Sequence, residues 1–359
     1  MVRKNKVTLL AEQLRQLLQD SPDKLAPFKS ARKTAAEFGV SRQTADRALR
    51  LLAEEGILTR IPGAGTWQRG NYKRRYRVAC MIATGFHETT LEPYSDLPER
   101  YNLLVNALTA AQFELEFFSY RKLRYENFSP RIFDNFDALL AEGTYCDCHS
   151  RRLVCEFNKP KVWLETHKPS LEPDNQVISE FVSGFIGLFR QARKSGIRHF
   201  CVHLVRPYFR EIIGKALELT GYSENEVEFH HAPEITPQLA AYKYGLNLPV
   251  EPDLMHVCDL DISACGIYEA LLDRKFQPGE IALSGVGNIE SLGFLPFGKP
   301  VLTTVATPRC EMAQAAAELL LHKLKHPENH STVVRVPAYP LFRSSAFGNY
   351  KCFSQNLGQ

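Results

Sequence analysis

Near the amino terminus apolar residues fall at Val7, Leu10, Leu14, Leu17 and Leu18, steps of three and four that line one face of a helix. Ser21-Pro22-Asp23 ends that stripe. A shorter helix fits Ala31 to Phe38, and Gly39 supplies a left-handed residue after it. Ser41 suits the cap of a third helix that runs to about Glu55, before Gly56. Two helices joined by so tight a turn predict a helix-turn-helix. Around the third helix, Ala45, Ala48, Leu49 and Leu52 share one face. Gln43, Arg47, Arg50 and Glu54 share the opposite face, with Arg42 and Thr44 beside them in the first turn. Two β-prone runs, Ile57 to Ile61 and Thr66 to Gln68, then flank Pro62-Gly63-Ala64-Gly65 and predict a hairpin. Three helices followed by a hairpin make a winged helix.

Past residue 76 the pattern changes. Strands are expected at Tyr76–Thr84, Glu114–Tyr120, Ala138–Leu140, Val162–Glu165, His199–Leu204, Leu254–Cys258 and Ile281–Gly285. Helices are expected at Glu99–Gln112, Glu180–Ser195, Phe209–Thr220, Ser263–Arg274 and Met312–Lys325. Such alternation predicts parallel sheets, and roughly 280 residues of it favour two lobes. The fold class expected is therefore multidomain α/β: a winged helix-turn-helix over residues 1–68, a linker over 69–76, and a two-lobed α/β body over 77–359. In such folds ligands sit at the carboxyl ends of the strands, where the lobes face each other.

Charge sharpens this division. The 359-residue chain carries a net charge of +4, but residues 1–76 hold 16 Lys and Arg against 7 Asp and Glu. The remainder is mildly acidic, so a basic head is set on a body of opposite sign, and the head is the part suited to a polyanion. The longest uncharged apolar stretch, Phe181 to Phe189, is about half the roughly 20 residues that span a bilayer. The first residues lack a signal-peptide hydrophobic core, so a cytoplasmic protein without membrane contact is expected. Nine cysteines without a scaffold spacing are expected to be reduced. Cys146, Cys148, His149 and Cys155 cluster without the paired spacing of a zinc site, and Pro327 breaks the register of His322, His326 and His330. No metal or cofactor is expected. Neither a phosphate loop nor a nucleophile elbow is present, so no catalytic residue is assigned.

On the third helix, Arg can bond guanine bidentately and Gln adenine, and a helix fits the major groove. Here the chain resembles a known family. Ser30-Ala31-Arg32, Gly39 to Thr44, Arg47-Ala48-Leu49, Glu54 to Leu58 and Gly63 to Thr66 look like a GntR-type winged helix. That resemblance implies operator contacts from Arg32, from Ser41, Arg42, Gln43 and Thr44, and from the wing at Gly63, Gly65 and Thr66. The outward face of the helix adds Arg47 and Arg50. The chain departs from the pattern at Asp46, where an Arg often stands, and at Ala64.

The body carries a second resemblance. Asp261 to Gly266, Gln277 to Gly285 and Val301 to Met312, with Lys194 to Arg198 and Gly214 to Leu217, look like a LacI-type, periplasmic-binding-protein-like sensor. This implies an effector cleft between lobes, a homodimer, and DNA affinity set by a small molecule such as a sugar. Three positions depart from the family's sugar ring: Gly287 stands in place of an Asp, Leu260 in place of an Asn, and Glu211 in place of an Arg. Candidate effector residues, chosen by position, are Phe86, Glu88 and Tyr94 after the first strand, Trp163, then Arg206, Tyr208 and Arg210, and Asn288. Asp261 is expected to cap its helix. The expected function is a repressor whose grip on palindromic operator DNA is modulated by an effector. The alternatives are a cytoplasmic solute-binding protein or enzyme with a nucleic-acid-binding head, and a thiol or metal sensor.

Overall fold

The computed structural model describes residues 6–20, 28–61, 65–68, 76–82, 97–120, 123, 130–143, 146, 148–165, 175–326 and 330–347. The chain divides into two compact units, Met1–Arg75 and Tyr76–Gln359.

In the first unit, α1 (Lys6–Asp20), α2 (Ala31–Phe38) and α3 (Arg42–Glu54) precede the antiparallel pair β1 (Leu58–Ile61) and β2 (Gly65–Gln68). The helices end where the side chains require. Ser30 accepts the Lys33 N–H and caps α2, and Gly39, at φ 61°, closes it in the left-handed region. Leu10, Leu14 and Leu18 of α1 bury against Ala45, Ala48, Leu49 and Leu52 of α3 and Leu58 of the wing. The expected stripe of α3 packs whole; that of α1 packs through Leu10, Leu14 and Leu18, while Val7 is half-buried and Leu17 faces outward.

The second unit holds two six-stranded sheets. The first is ordered β4-β3-β5-β6-β7-β13 and parallel throughout: Glu114–Ser119, Arg77–Ile82, Ala138–Glu142, Lys161–Glu165, Asn175–Glu180 and Val333–Pro337. The second is ordered β9-β8-β10-β11-β12-β14: Val227–His231, His199–Leu204, Leu254–Cys258, Leu283–Val286, Thr303–Ala306 and Tyr339–Leu341. Only its edge strand β14 runs antiparallel. The chain passes between the sheets three times, after β7, β12 and β13. The last passage is held by the Ala338 N–H donating to the Glu180 carbonyl at 2.8 Å.

Helices α4 (Leu97–Ala110) and α10 (Arg309–Lys325) cover one face of the first sheet through Leu104, Leu108, Met312, Ala316 and Leu320. α5 (Cys148–Glu156) covers the other through Leu153 and Val154. On the second sheet, α6 (Phe181–Lys194) and α7 (Phe209–Leu219) pack on Phe200, Val202, Met255 and Val257. The opposite face meets α8 (Gln238–Gly245) and α9 (Asp261–Asp273). These last two helices approach closely at Gly266, where a Cβ would lie 2.3 Å from the Gln238 carbonyl oxygen. The strands at His199–Leu204 and Leu254–Cys258 have the bounds the pattern predicts. Missing from the sequence reading were β7, β9, β12, β13, β14, α5 and α8.

Candidate nucleic-acid interface and effector cleft

α3 presents Arg42, Gln43, Arg47 and Arg50 as exposed residues, opposite a wholly buried apolar face. Ser41 caps the helix, its Oγ accepting the Thr44 N–H at 3.1 Å and lying 2.8 Å from the Thr44 hydroxyl. Those two hydroxyls therefore hold each other, and what they leave toward solvent is the helix start with its unpaired amides. Arg32 is exposed on α2. Gly65, at φ 99°, opens β2 and is exposed, whereas Gly63 lies outside the described residues. Thr66 is a correction. Its side chain is buried, and its carbonyl accepts the Phe28 N–H at 2.7 Å, so it anchors the wing to the body of the head and does not face outward.

Asp46 explains the unusual residue on this face. Its carboxylate takes a hydrogen bond from Arg60 at 2.8 Å and an ion pair from Arg50 at 3.1 Å. The Arg60 bond holds the carboxyl below its ordinary range. The wing and α3 are thus tied together and Arg50 is partly neutralised; the Arg50 pair is an i, i+4 contact along one helix, whereas the bond from Arg60 depends on where the wing folds.

In the body, β10 lies between β8 and β11. The loops at their carboxyl ends therefore sit about 10 Å apart across the pair of strand spacings. After β8, Arg206 donates through Nε to Asp259 Oδ2 at 3.4 Å and through Nη2 to the Asp259 carbonyl. Asp259 is fully buried and also accepts the Val205 and Arg206 N–H groups. The Arg206 guanidinium lies 4.3 Å from the Phe209 ring centre and 5.8 Å from that of Tyr208. After β11, half-buried Asn288 holds a left-handed φ of 60°, and its Oδ1 accepts from Arg343 Nη2 at 2.7 Å. Arg343 also pairs with buried Glu290 at 3.0 Å. Glu290 in turn accepts the Val301 and Leu302 N–H groups, and burial pushes its carboxyl up. Arg206 with Asp259, and Asn288 with Arg343 and Glu290, thus make two separate sets of oriented, charge-compensated donors and acceptors, one following β8 and one following β11.

Asp261 differs from expectation. Leu260, not Asp261, is the N-cap of α9, and Asp261 is its first residue. Its buried carboxylate accepts the Ile289 N–H at 2.9 Å and the Thr304 hydroxyl at 2.8 Å. Burial pushes this carboxyl up to about 6. It sits so close to Gly285 that a Cβ there would fall 2.1 Å from Oδ1. It is a stitch between three strand ends. Gly287 has φ 126°, and its carbonyl accepts from Arg309, which also pairs with Glu99 of the first lobe.

Trp163 is the second correction. Its ring is fully buried in the first lobe's core and Arg151 stacks over it at 5.1 Å, so no face is left for a ligand. Arg210 lies apart as well, over Phe229 on the edge strand at 4.5 Å. Phe86, Glu88 and Tyr94 lie outside the described residues. Two ion-paired residues the pattern did not single out, Arg100 and Glu142, meet at 2.6 Å at the carboxyl end of β5. A groove of about 510 Å³ opens at the opposite end of the second sheet, between Ile197, Val250, Phe276 and Phe347, and holds none of the effector candidates. Cys146 and Cys155 are half-buried at the edge of the first lobe's core. Among the described residues no helix is long and apolar enough to cross a membrane.

Residues 29–67 match bacterial regulatory proteins of the gntR family, and residues 195–346 match the periplasmic binding protein-like domain. The ribose operon repressor of Escherichia coli (strain K12) is 29% identical over 107 residues, 30% of this chain and 31% of that protein. The ribose operon repressor of Haemophilus influenzae is 33% identical over 89 residues, 24% and 26% of the two chains. These matches span less than a third of either repressor's length. Among solved structures, a LacI family transcriptional regulator from Enterococcus faecium with bound ribose superposes with a TM-score of 0.57 at 16% identity. It covers 76% of this chain and 100% of its own. The transcriptional regulator CelR in complex with cellobiose gives 0.56 at 16% identity, covering 89% and 100%.

Proposed function

We propose that this chain, which joins a gntR-type winged helix to a periplasmic-binding-protein-like body, is a sequence-specific transcriptional regulator of the repressor kind. Its head would read operator DNA with Arg42, Gln43 and Arg47 in the major groove, while Arg32, the amides at Ser41 and the wing at Gly65 meet phosphates. Two heads of a homodimer would engage half-sites about one helical turn (~10 bp), or a multiple of it, apart. The body would bind a small polyhydroxylated molecule of the sugar class at Arg206, Tyr208 and Asn288, backed by Asp259 and Arg343. A hydroxyl-rich ligand needs directional donors and acceptors already held in place, because each one left unpaired costs affinity. The effector would act by binding two states of the body unequally, so that one of them no longer fits both half-sites.

The observation that supports this reading most is α3 itself. A capped helix with a fully apolar inner face presents Arg42, Gln43 and Arg47 together on the outside, behind a short wing. The test is selection of bound fragments from the source genome at moderate salt, followed by sequencing. Enrichment of one short two-fold motif is expected, and sugars whose uptake or breakdown genes lie beside it then become the effectors to titrate. Binding without sequence preference that fades uniformly with salt would overturn the operator reading.

A further inference from the structure

Strands buried on both faces in parallel sheets are ordinarily continuous apolar runs. β8 and β10 break that rule on one face only. Phe200, Val202, Met255 and Val257 face α6 and α7 as expected, while Cys201, His203, His256 and Cys258 occupy the alternate positions. The register completes the pattern. Cys201 pairs laterally with His256 on β10 and with Glu228 on β9, and His203 with Cys258 and His230. Six metal-ligating side chains thus stand in two rows of three.

Their atoms converge. Ligand atoms of Cys201, His203 and His256 lie within 4.8 Å of one another, and so do those of Cys201, Glu228 and His230, with Cys201 common to both sets. His203 Nε2 and His256 Nδ1 are 3.0 Å apart. His256 Nε2 faces the Pro249 carbonyl at 2.8 Å, and a carbonyl can only accept, so in the neutral ring Nδ1 carries the lone pair. That bond fixes the ring as the outer partner of a metal-bound His does. His203 has an equivalent partner in the Tyr244 hydroxyl, 3.2 Å from Nδ1. The two inner rings and Cys201 are buried, whereas Glu228 is exposed and His230 half-buried on the edge strand, which leaves a way in for an ion.

We propose that this cluster is a site for a zinc-class transition-metal ion, held by Cys201, His203 and His256, with β9 supplying the fourth ligand from Glu228 or His230. One thiolate and two or three imidazoles suit zinc or copper(I) and not magnesium or calcium. On binding, the Cys201 thiol releases its proton to solvent. His203 moves its own proton to Nδ1, where it donates to the Tyr244 oxygen, and presents Nε2 to the ion. No oxidation or reduction is involved. The site does not depend on the operator reading.

The experiment uses the full chain, stripped with a chelator and titrated with cobalt(II) and then zinc. One cobalt per chain is expected, with a thiolate-to-cobalt charge-transfer band that zinc abolishes and magnesium leaves unchanged. Cys201→Ser should remove the band. Because Cys201 is buried, the exposed-edge double variant Glu228→Gln with His230→Ala provides a second arm that leaves the core intact. Its affinity should fall by about 100-fold or more, since loss of an outer partner alone costs about 10- to 100-fold. Absence of stoichiometric cobalt, a band that survives Cys201→Ser, or full affinity in the edge variant would each overturn the proposal.

Discussion

On α3 the side chains of Arg42, Gln43 and Arg47 stand exposed above an inner face of Ala and Leu. In the second lobe, Arg206 is bonded to Asp259, Arg343 to Asn288 and Glu290, and both carboxylates also to backbone N–H groups. The difference is the one expected of the partners proposed for each region. A phosphate backbone brings dense charge, so exposed cations on a rigid helix suffice, and their desolvation is deferred until binding. A small neutral ligand brings only hydroxyls, and its site must hold dipoles and charges at fixed angles beforehand. Pairing in the second lobe fixes the positions of those groups in advance.

If that contrast is right, the largest effect belongs to the head's exposed arginines. Arg42→Ala with Arg47→Ala should leave the fold intact, because both side chains are on the solvent side of α3. It should weaken specific operator binding by about 2–6 kcal/mol, taking about 1–3 kcal/mol for each base contact. Fluorescence anisotropy with the selected operator measures it. Specific binding that survives the double change would move the recognition face elsewhere.

The second lobe gives the opposite signature, a buried charge whose effect is on stability and pH. The Asp261 carboxyl is pushed up to about 6 by burial, against about 3.9 in an unfolded chain. A raised carboxyl favours folding below its unfolded value, and that contribution is lost as pH rises through about 6. Asp261→Asn does not titrate. Relative to the parent, the variant should gain stability between pH 4 and pH 7 by up to about 3 kcal/mol, from a shift of about two units at 1.36 kcal/mol each. Urea melts at both pH values decide this. A constant difference would mean that burial does not raise this carboxyl above its unfolded value.

The same two regions differ in how much of them can be read along the chain. α2 and α3 were legible because their determinants are local: Ser30 and Ser41 bond backbone three residues on, and Gly39 needs no distant partner. The effector-end network was not. Arg206 and Asp259 are 53 residues apart, Asn288 and Arg343 are 55, and each pair meets only once the sheet has formed. Trp163 was misjudged for the related reason that a strand residue's burial depends on which helix covers its face. α5 supplies that cover, and no apolar stripe announced it. β9 escaped because Val227-Glu-Phe-His-His has the mixed polarity of an edge strand, yet the His and Cys alternation in β8, β9 and β10 was visible and is the signal that could have exposed the cluster there.

Local determinants also make smaller predictions sharp. Ser41→Ala removes the bond to the Thr44 N–H and should destabilise the head by about 1 kcal/mol. Thermal melts of the full chain should show this as an earlier loss of helix signal, with the body's transition unmoved. Simultaneous loss of both transitions would mean that head and body melt as one unit.

The smallest expected effect tests a place on α3 where the head behaves like the second lobe. Asp46 binds Arg50 and Arg60 across α3 and the wing, an internal pairing on a face otherwise left to solvent. Such exposed pairs contribute less than about 1 kcal/mol, so Asp46→Asn should barely move the melting curve. It should, however, remove a negative charge from the face of α3 proposed to meet DNA and release two cations toward phosphates. Non-specific affinity is then expected to rise by up to about tenfold, with a steeper salt dependence, while discrimination between the operator and unrelated DNA falls. The three readings move together only if Asp46 acts by restraining those arginines. An affinity unchanged at every salt concentration would mean that Arg50 and Arg60 remain docked without it, and that Asp46 serves only to hold the wing.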